Sequence, residues 1–141
     1  MEYDLQDLAF ILQTVKTIAV VGLSPKPERD SHKVAAYLMG KGYRIIPVNP
    51  GHPEILGQKS YPSLFEIPER VDLVDVFRRS EFVRPIIEAA IQLQIPYVWL
   101  QEGIRDDEGA RLAKEHGITV VQDLCAMKIH ALLEQKGLLA D

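Results

Sequence analysis

A chain of 141 residues, 47% hydrophobic and 26% charged, is long enough for one domain with a real core. Its net charge of -4 argues against general nucleic-acid binding, and no apolar run approaches the ~20 residues that span a bilayer. The one cysteine, Cys125, has no internal disulfide partner, and the acidic start Met1-Glu2-Tyr3-Asp4 lacks the basic stretch of a secretion signal; a cytoplasmic location is expected.

Leu5, Leu8, Ile11, Leu12 and Val15 recur at helical spacing, so residues 4–15 read as an amphipathic helix, packed on its own sheet or on another chain. Residues 17–23 read as a strand buried on both faces. Ser31 is placed to cap a helix running to Gly40, and Tyr43–Asn49 is the second strand. Pro50-Gly51-His52-Pro53 turns the chain into an irregular connection from Glu54 to Pro68, with a short helix at Ser63–Glu66. Val71–Phe77 is the third strand, and Ser80 caps a helix to Leu93 that tolerates Pro85 in its first turn. Tyr97–Gln101 is the fourth strand, Asp106 or Asp107 opens a helix ending at Gly117, and Ile118–Gln122 is the fifth strand. Residues 124–136 make the last helix, which Gly137 stops.

The regular alternation calls for a single α/β domain over residues 1–141: a Rossmann-like, doubly wound, mainly parallel sheet of about five strands with helices on both faces. In such sheets a ligand lies beyond the carboxyl ends of the strands. The first of these ends carries Gly22, Leu23, Ser24, Lys26, Arg29, Ser31 and His32, a glycine turn with polar and basic residues leading into a helix start. That is the setting for a diphosphate, whose oxygens meet backbone N–H groups and cations; the same residues also suit a solvated turn. Only one glycine is present, so the loop is not the dinucleotide fingerprint. The second strand ends in Val48, Asn49, Pro50 and His52 with no carboxylate for an adenosine ribose, which disfavours NAD and leaves NADP open.

Phe77, Arg78 and Arg79 follow the third strand: a phosphate site, or core, salt bridge and solvent. Asp75, in mid-strand, needs partners if it is ionised, and loop N–H groups or an arginine are expected to supply them. Trp99 reads as core, and Gln101-Glu102-Gly103 as a turn at the ligand edge. Cys125 stands at a helix start, where a thiol is activated, yet a buried structural cysteine is the commoner outcome. His130 lies ~140° further around that helix and does not pair with it. Neither a metal motif nor a paired-carboxylate or nucleophile motif is found.

Five segments together resemble the CoA-binding domain family, small stand-alone Rossmann-like proteins similar to the N-terminal domain of the succinyl-CoA synthetase alpha subunit. They are Ile18-Ala19-Val20-Val21-Gly22-Leu23-Ser24, Pro47-Val48-Asn49-Pro50, Val71 to Arg78, Val98 to Ile104, and Asp123-x-Cys125-x-Met127-x-x-His130. The resemblance covers Lys16 to about Leu133. It implies coenzyme A, free or acylated, bound across the strand ends, with Gly22 through Ser31 at the diphosphate. It also matches Val48-Asn49-Pro50, with His52 or Lys59, to a segment supplying a CoA-contacting lysine, and Leu100-Gln101-Glu102 to an Ile-Thr-Glu contact segment. The synthetase subunit has a second domain bearing a phosphohistidine that these residues do not contain, so synthetase activity is not expected. Three readings result: a non-catalytic CoA-binding protein, a Cys125-dependent CoA thiol or acyl chemistry, and an NADP-binding regulatory module. A protein partner or homo-oligomer is compatible with each.

Overall fold

The coordinates are a computed structural model and describe residues 2–140. In chain order the elements are α1 (Leu5–Thr14), β1 (Thr17–Val21), α2 (Asp30–Gly40), β2 (Arg44–Val48), β3 (Glu54–Ile55), β4 (Gln58–Lys59), β5 (Leu73–Val76), α3 (Arg84–Leu93), β6 (Tyr97–Leu100), α4 (Asp107–Glu115), β7 (Thr119–Val121) and α5 (Ala126–Gln135). Short 3-10 turns occupy Leu64–Glu66 and Ser80–Phe82. Five strands form one parallel sheet in the order β2-β1-β5-β6-β7. The chain is therefore an α/β, Rossmann-like, doubly wound protein.

The faces of the sheet separate by strand alternation. Ile18, Val20, Ile45, Leu73 and Trp99 meet α1, α2 and α5 on one face, through Leu8, Leu12, Val34, Leu38, Ile129 and Leu133. Ala19, Val21, Ile46, Val74, Val76 and Val98 meet α3 and α4 on the other, through Ile87, Ala90 and Ala113. Helix α1 thus packs on its own sheet, and Asp4 caps it by accepting from the Gln6 N–H at 2.7 Å. Trp99 is fully buried, with its indole N–H donating to the Leu124 carbonyl at 2.8 Å.

Three local expectations are corrected. Ser31 does not cap α2: Arg29 holds the cap position without a side-chain bond, and the Ser31 hydroxyl accepts from the Ser24 N–H at 3.0 Å instead. Ser80 does not cap α3 but begins a 3-10 turn, and its hydroxyl accepts from the Arg105 N–H at 3.0 Å. The connection after β2 is not wholly irregular, because Glu54–Lys59 folds into the small antiparallel hairpin β3–β4. Beyond it Tyr61 bonds with Pro47 and Asn49, covering the free edge of β2.

The winding order places the functional end of the sheet. From β1 the chain moves outward to β2, then crosses back to β5 on the other side of β1. The topological switch point therefore lies between the carboxyl ends of β1 and β5. There Gly22 turns at φ +85°, donates to the Val48 carbonyl at 3.0 Å, and passes close against the Phe77 carbonyl.

Candidate functional site

A cleft of about 430 Å³ opens at this switch point. Phe77 to Ser80 after β5 and Gln101 to Ile104 after β6 form two walls, and the first turns of α2 and α5 close the others. Val34, Phe77, Ile104, Cys125 and Met127 make its lining largely apolar, with Gln101 as the buried polar member. Four cations stand around it, Lys33, Arg78, Arg79 and Lys128, together with the acids Asp30 and Glu102.

Their commitments differ. The Lys128 ammonium pairs with Glu102 at 2.8 Å, and this hydrogen bond raises its pKa. Arg79 reaches Glu81 at 3.7 Å, a loose and exposed pair. Arg78 lies over the exposed Phe82 ring at 5.5 Å, as Arg79 does at 5.7 Å. Neither Lys33 nor Arg78 forms an ion pair among the described residues. Such exposed, uncommitted cations are available to an anion without first breaking a bond.

The turns that shape the cleft are tied together. Asp123, in the left-handed region at φ 59°, accepts from the Gly103 N–H at 2.6 Å and so fixes the Glu102-Gly103 turn from β7. Asp106 caps α4 through the Gly109 N–H at 3.0 Å and pairs with Arg84 at 2.6 Å, which holds its carboxyl below the usual range. On the first loop Lys26 donates its N–H to the Ser24 hydroxyl at 3.1 Å, and the His32 ring meets the Ser24 carbonyl at 3.0 Å. Asn49 donates to the Leu23 carbonyl at 3.0 Å. The polar groups of Ser24, Ser31, His32 and Asn49 are thus engaged in building the loop, while Lys26 and Arg29 project into solvent.

The family whose description reads CoA binding domain matches residues 16–131. The chain belongs to that family. The chain is also similar to individual proteins over most of its length. YneT of Bacillus subtilis (strain 168) is 46% identical over 122 residues, covering 86% of this chain and 90% of that one. An Archaeoglobus fulgidus protein named acetate–CoA ligase [ADP-forming] I is 31% identical over 103 residues, 71% of this chain but 15% of the ligase. Among solved structures, Prb, the PH1109 protein redesigned for binding, superposes with a TM-score of 0.91 at 39% identity, covering 94% of this chain and 93% of that one. A Thermus thermophilus structure, cell-free ID.343, gives 0.88 at 40% identity, covering 93% and 99%.

Of the residues singled out from sequence, the CoA binding domain brings Phe77, Arg78, Arg79, Gln101, Glu102 and Cys125 into one cleft. Leu23, Val48 and Leu100 are buried core side chains, so only their backbone faces the loops. Gly22, Ser24, Ser31 and His32 build the loop beside the cleft, and Lys26, Arg29, Pro50, His52 and Lys59 are exposed outside its lining. Lys59 sits over the Tyr61 ring at 5.3 Å on the β2 side. His130 is buried, bonded through Nδ1 to the Tyr37 hydroxyl at 2.9 Å, and does not line the cleft that Cys125 lines. Lys33 and Lys128 were missed. A signal existed: Asp30, Lys33 and Val34, like Cys125 and Lys128, are spaced three or four apart and share the face of a helix that begins at the strand ends.

Asp75 departs most from expectation. It is fully buried in β5, and among the described residues neither a loop N–H nor an arginine bonds to it. Gln101 alone donates to its Oδ1 among the described residues, and Oδ2 is left without a partner. Burial, offset in part by that bond, pushes its carboxyl up to about 7.

Proposed function

We propose that this protein binds coenzyme A, free or acylated, across the carboxyl ends of β1, β5, β6 and β7, and performs no chemistry of its own. The observation that carries this reading is the cleft itself. In a CoA binding domain, the switch point gathers Lys33, Arg78, Arg79 and Lys128 around an apolar floor. Coenzyme A joins a diphosphate and a 3′-phosphate, which need cations, to a long pantetheine arm, which suits such a floor. The named relationship to ADP-forming acetate–CoA ligases supports the ligand class, though the chain spans only 15% of the Archaeoglobus fulgidus enzyme.

Calorimetric titration with CoA, beside NADPH, tests the reading. Replacing Lys33 and Arg78 together by alanine weakens CoA binding at least about tenfold and flattens its salt dependence. The pair Lys26 and Arg29, changed in the same way, reports whether the first loop also meets the phosphates. Saturable NADPH binding without CoA binding overturns the proposal in favour of a regulatory NADP module. The position of Cys125 in the cleft wall supports a second reading, a mixed disulfide with CoA. Mass spectrometry with and without reductant tests it: a CoA-sized adduct lost on reduction supports it, and a bare thiol after incubation with CoA disulfide refutes it.

A further inference from the structure

Beneath the cleft the structure holds an unusual chain of polar groups. Asp75 stands in register between Val20 of β1 and Trp99 of β6, at the centre of the sheet and wholly out of contact with solvent. The Gln101 side-chain amide donates to Asp75 Oδ1, while its own oxygen accepts from the Ala126 N–H, the first residue of α5, at 3.3 Å. Gln101 is 4% exposed and lines the cleft, so among the described residues this amide is the hydrogen-bonded link between the buried carboxyl and the ligand side. Asp75 Oδ2 is the one buried side-chain polar atom left without a partner among the described residues. An orphaned buried oxygen in an otherwise satisfied core asks for a reason.

We propose that Asp75 is a positioning residue of the cleft: as a neutral acid it fixes the Gln101 amide, and through it the start of α5, and its ionisation opposes the binding of an anionic ligand above. This rests on the coenzyme A reading and adds to it a named group through which binding depends on pH. The orientation of Gln101 follows from its two partners. Reversing the amide sets its NH2 against the Ala126 N–H, two donors facing each other, so only an acceptor at Asp75 and a donor at Ala126 are mutually satisfied. A carboxylate at this depth has no cation to compensate it, which favours the protonated form.

Towards the ligand side the charged and titratable groups lie at the rim: Asp30 and Lys33 on α2, Cys125 and Lys128 on α5, Arg78 and Arg79 after β5 and Glu102 after β6. On the same two helices the titratable side chains of Tyr37 and His130 are bonded to each other. On the flanking strands its neighbours, Val20 and Trp99, carry no charge. What moves the carboxyl upward is burial, opposed by the Gln101 bond, with no charged neighbour among the causes. An anion bound at the rim adds to the cost of a second negative charge below it, so by reciprocity ionisation of Asp75 weakens the anion.

The test compares CoA affinity of the whole protein and of Asp75→Asn by calorimetry from about pH 5.5 to about pH 8.5, a window that brackets the shifted acid. The asparagine presents the same acceptor to Gln101 and cannot ionise. Titration of the CoA phosphates is common to both proteins and cancels in the ratio. Expected is a ratio of dissociation constants, native over variant, that rises about tenfold across this range. A flat ratio with both proteins binding CoA overturns the coupling. Failure of both to bind at any pH overturns the ligand reading and the coupling with it. The positioning role is then decided separately by alkylation of Cys125: Gln101→Met, which cuts the tie to α5, is expected to speed it severalfold. An unchanged alkylation rate in a folded Gln101→Met protein overturns the positioning role.

Discussion

Gly22→Ala tests the close approach of β1 and β5 on which the cleft depends. Gly22 sits at φ +85°, and a β-carbon there would overlap the Phe77 carbonyl oxygen and stand 3.3 Å from Arg78 Cδ. Gly42, at φ +97°, has open space where its β-carbon would go and isolates the conformational part of the cost. An L-residue in the left-handed region costs about 1–2 kcal/mol, expected for Gly42→Ala alone. At Gly22 the obstacle is backbone, and the Phe77 N–H is itself bonded to the Val21 carbonyl at 2.9 Å, so the strand ends must separate. Overpacking of this kind adds about 1–3 kcal/mol, for a total of about 2–5 kcal/mol. Urea unfolding followed by the fluorescence of Trp99, the one tryptophan and fully buried, measures both. With a slope of about 2 kcal/mol per molar urea, the midpoint falls by about 1–2.5 M for Gly22→Ala and by about 0.5–1 M for Gly42→Ala. Equal shifts for the two variants would show that the contact with Phe77 carries no weight.

Asp106→Asn keeps an acceptor for the Gly109 N–H but removes the charge that pairs with Arg84. Because Arg84 depresses the folded-state pKa of Asp106, the native protein is the more stable above the ordinary carboxylate range, and the gap to the variant closes as pH falls through the depressed value. Denaturation curves at a series of acidic pH values check this. Asp75 has the opposite sign: a folded pKa raised to about 7 makes native stability fall between about pH 4 and about pH 7, on the order of 4 kcal/mol in all. Asp75→Asn removes that slope, which the same denaturation series reads directly. Trp99→Phe loses the indole bond to the Leu124 carbonyl and leaves a void, costing about 2–3 kcal/mol by thermal unfolding followed with circular dichroism.

Strands and helices were legible because their burial repeats in the sequence: β1, β5 and β6 are apolar at nearly every position, as doubly covered strands must be. Caps were less legible, since a serine near a helix start has several competing uses. Ser31 and Ser80 each spend the hydroxyl on a distant or neighbouring loop N–H, a choice set by tertiary structure. Asp4 caps as local chemistry suggests, and so does Asp106, whose carboxylate can accept from the Gly109 N–H and from Arg84 together. The hairpin β3–β4 was invisible because its two-residue strands, Glu54–Ile55 and Gln58–Lys59, are too short to show alternation.

A cleft at the strand ends was legible in the sequence but its lining was not, and strand order explains the difference. A sequence shows which loops follow strands but not which strands are neighbours. Treating every strand end alike gave the segment after β2, with Asn49, His52 and Lys59, the same standing as the one after β5. In space β2 is the outer strand, and Asn49 reaches toward the switch point only far enough to brace Leu23. The order β2-β1-β5-β6-β7 instead gathers the ends of β5, β6 and β7 against the first turns of α2 and α5, where Lys33 and Lys128 supply charge from helices rather than loops. The lone glycine of the first loop then acquires a physical reason of its own. Gly22 is required by the neighbouring Phe77 backbone, while the cations that line the cleft, Lys33, Arg78, Arg79 and Lys128, come from α2, the segment after β5 and α5 rather than from the loop itself.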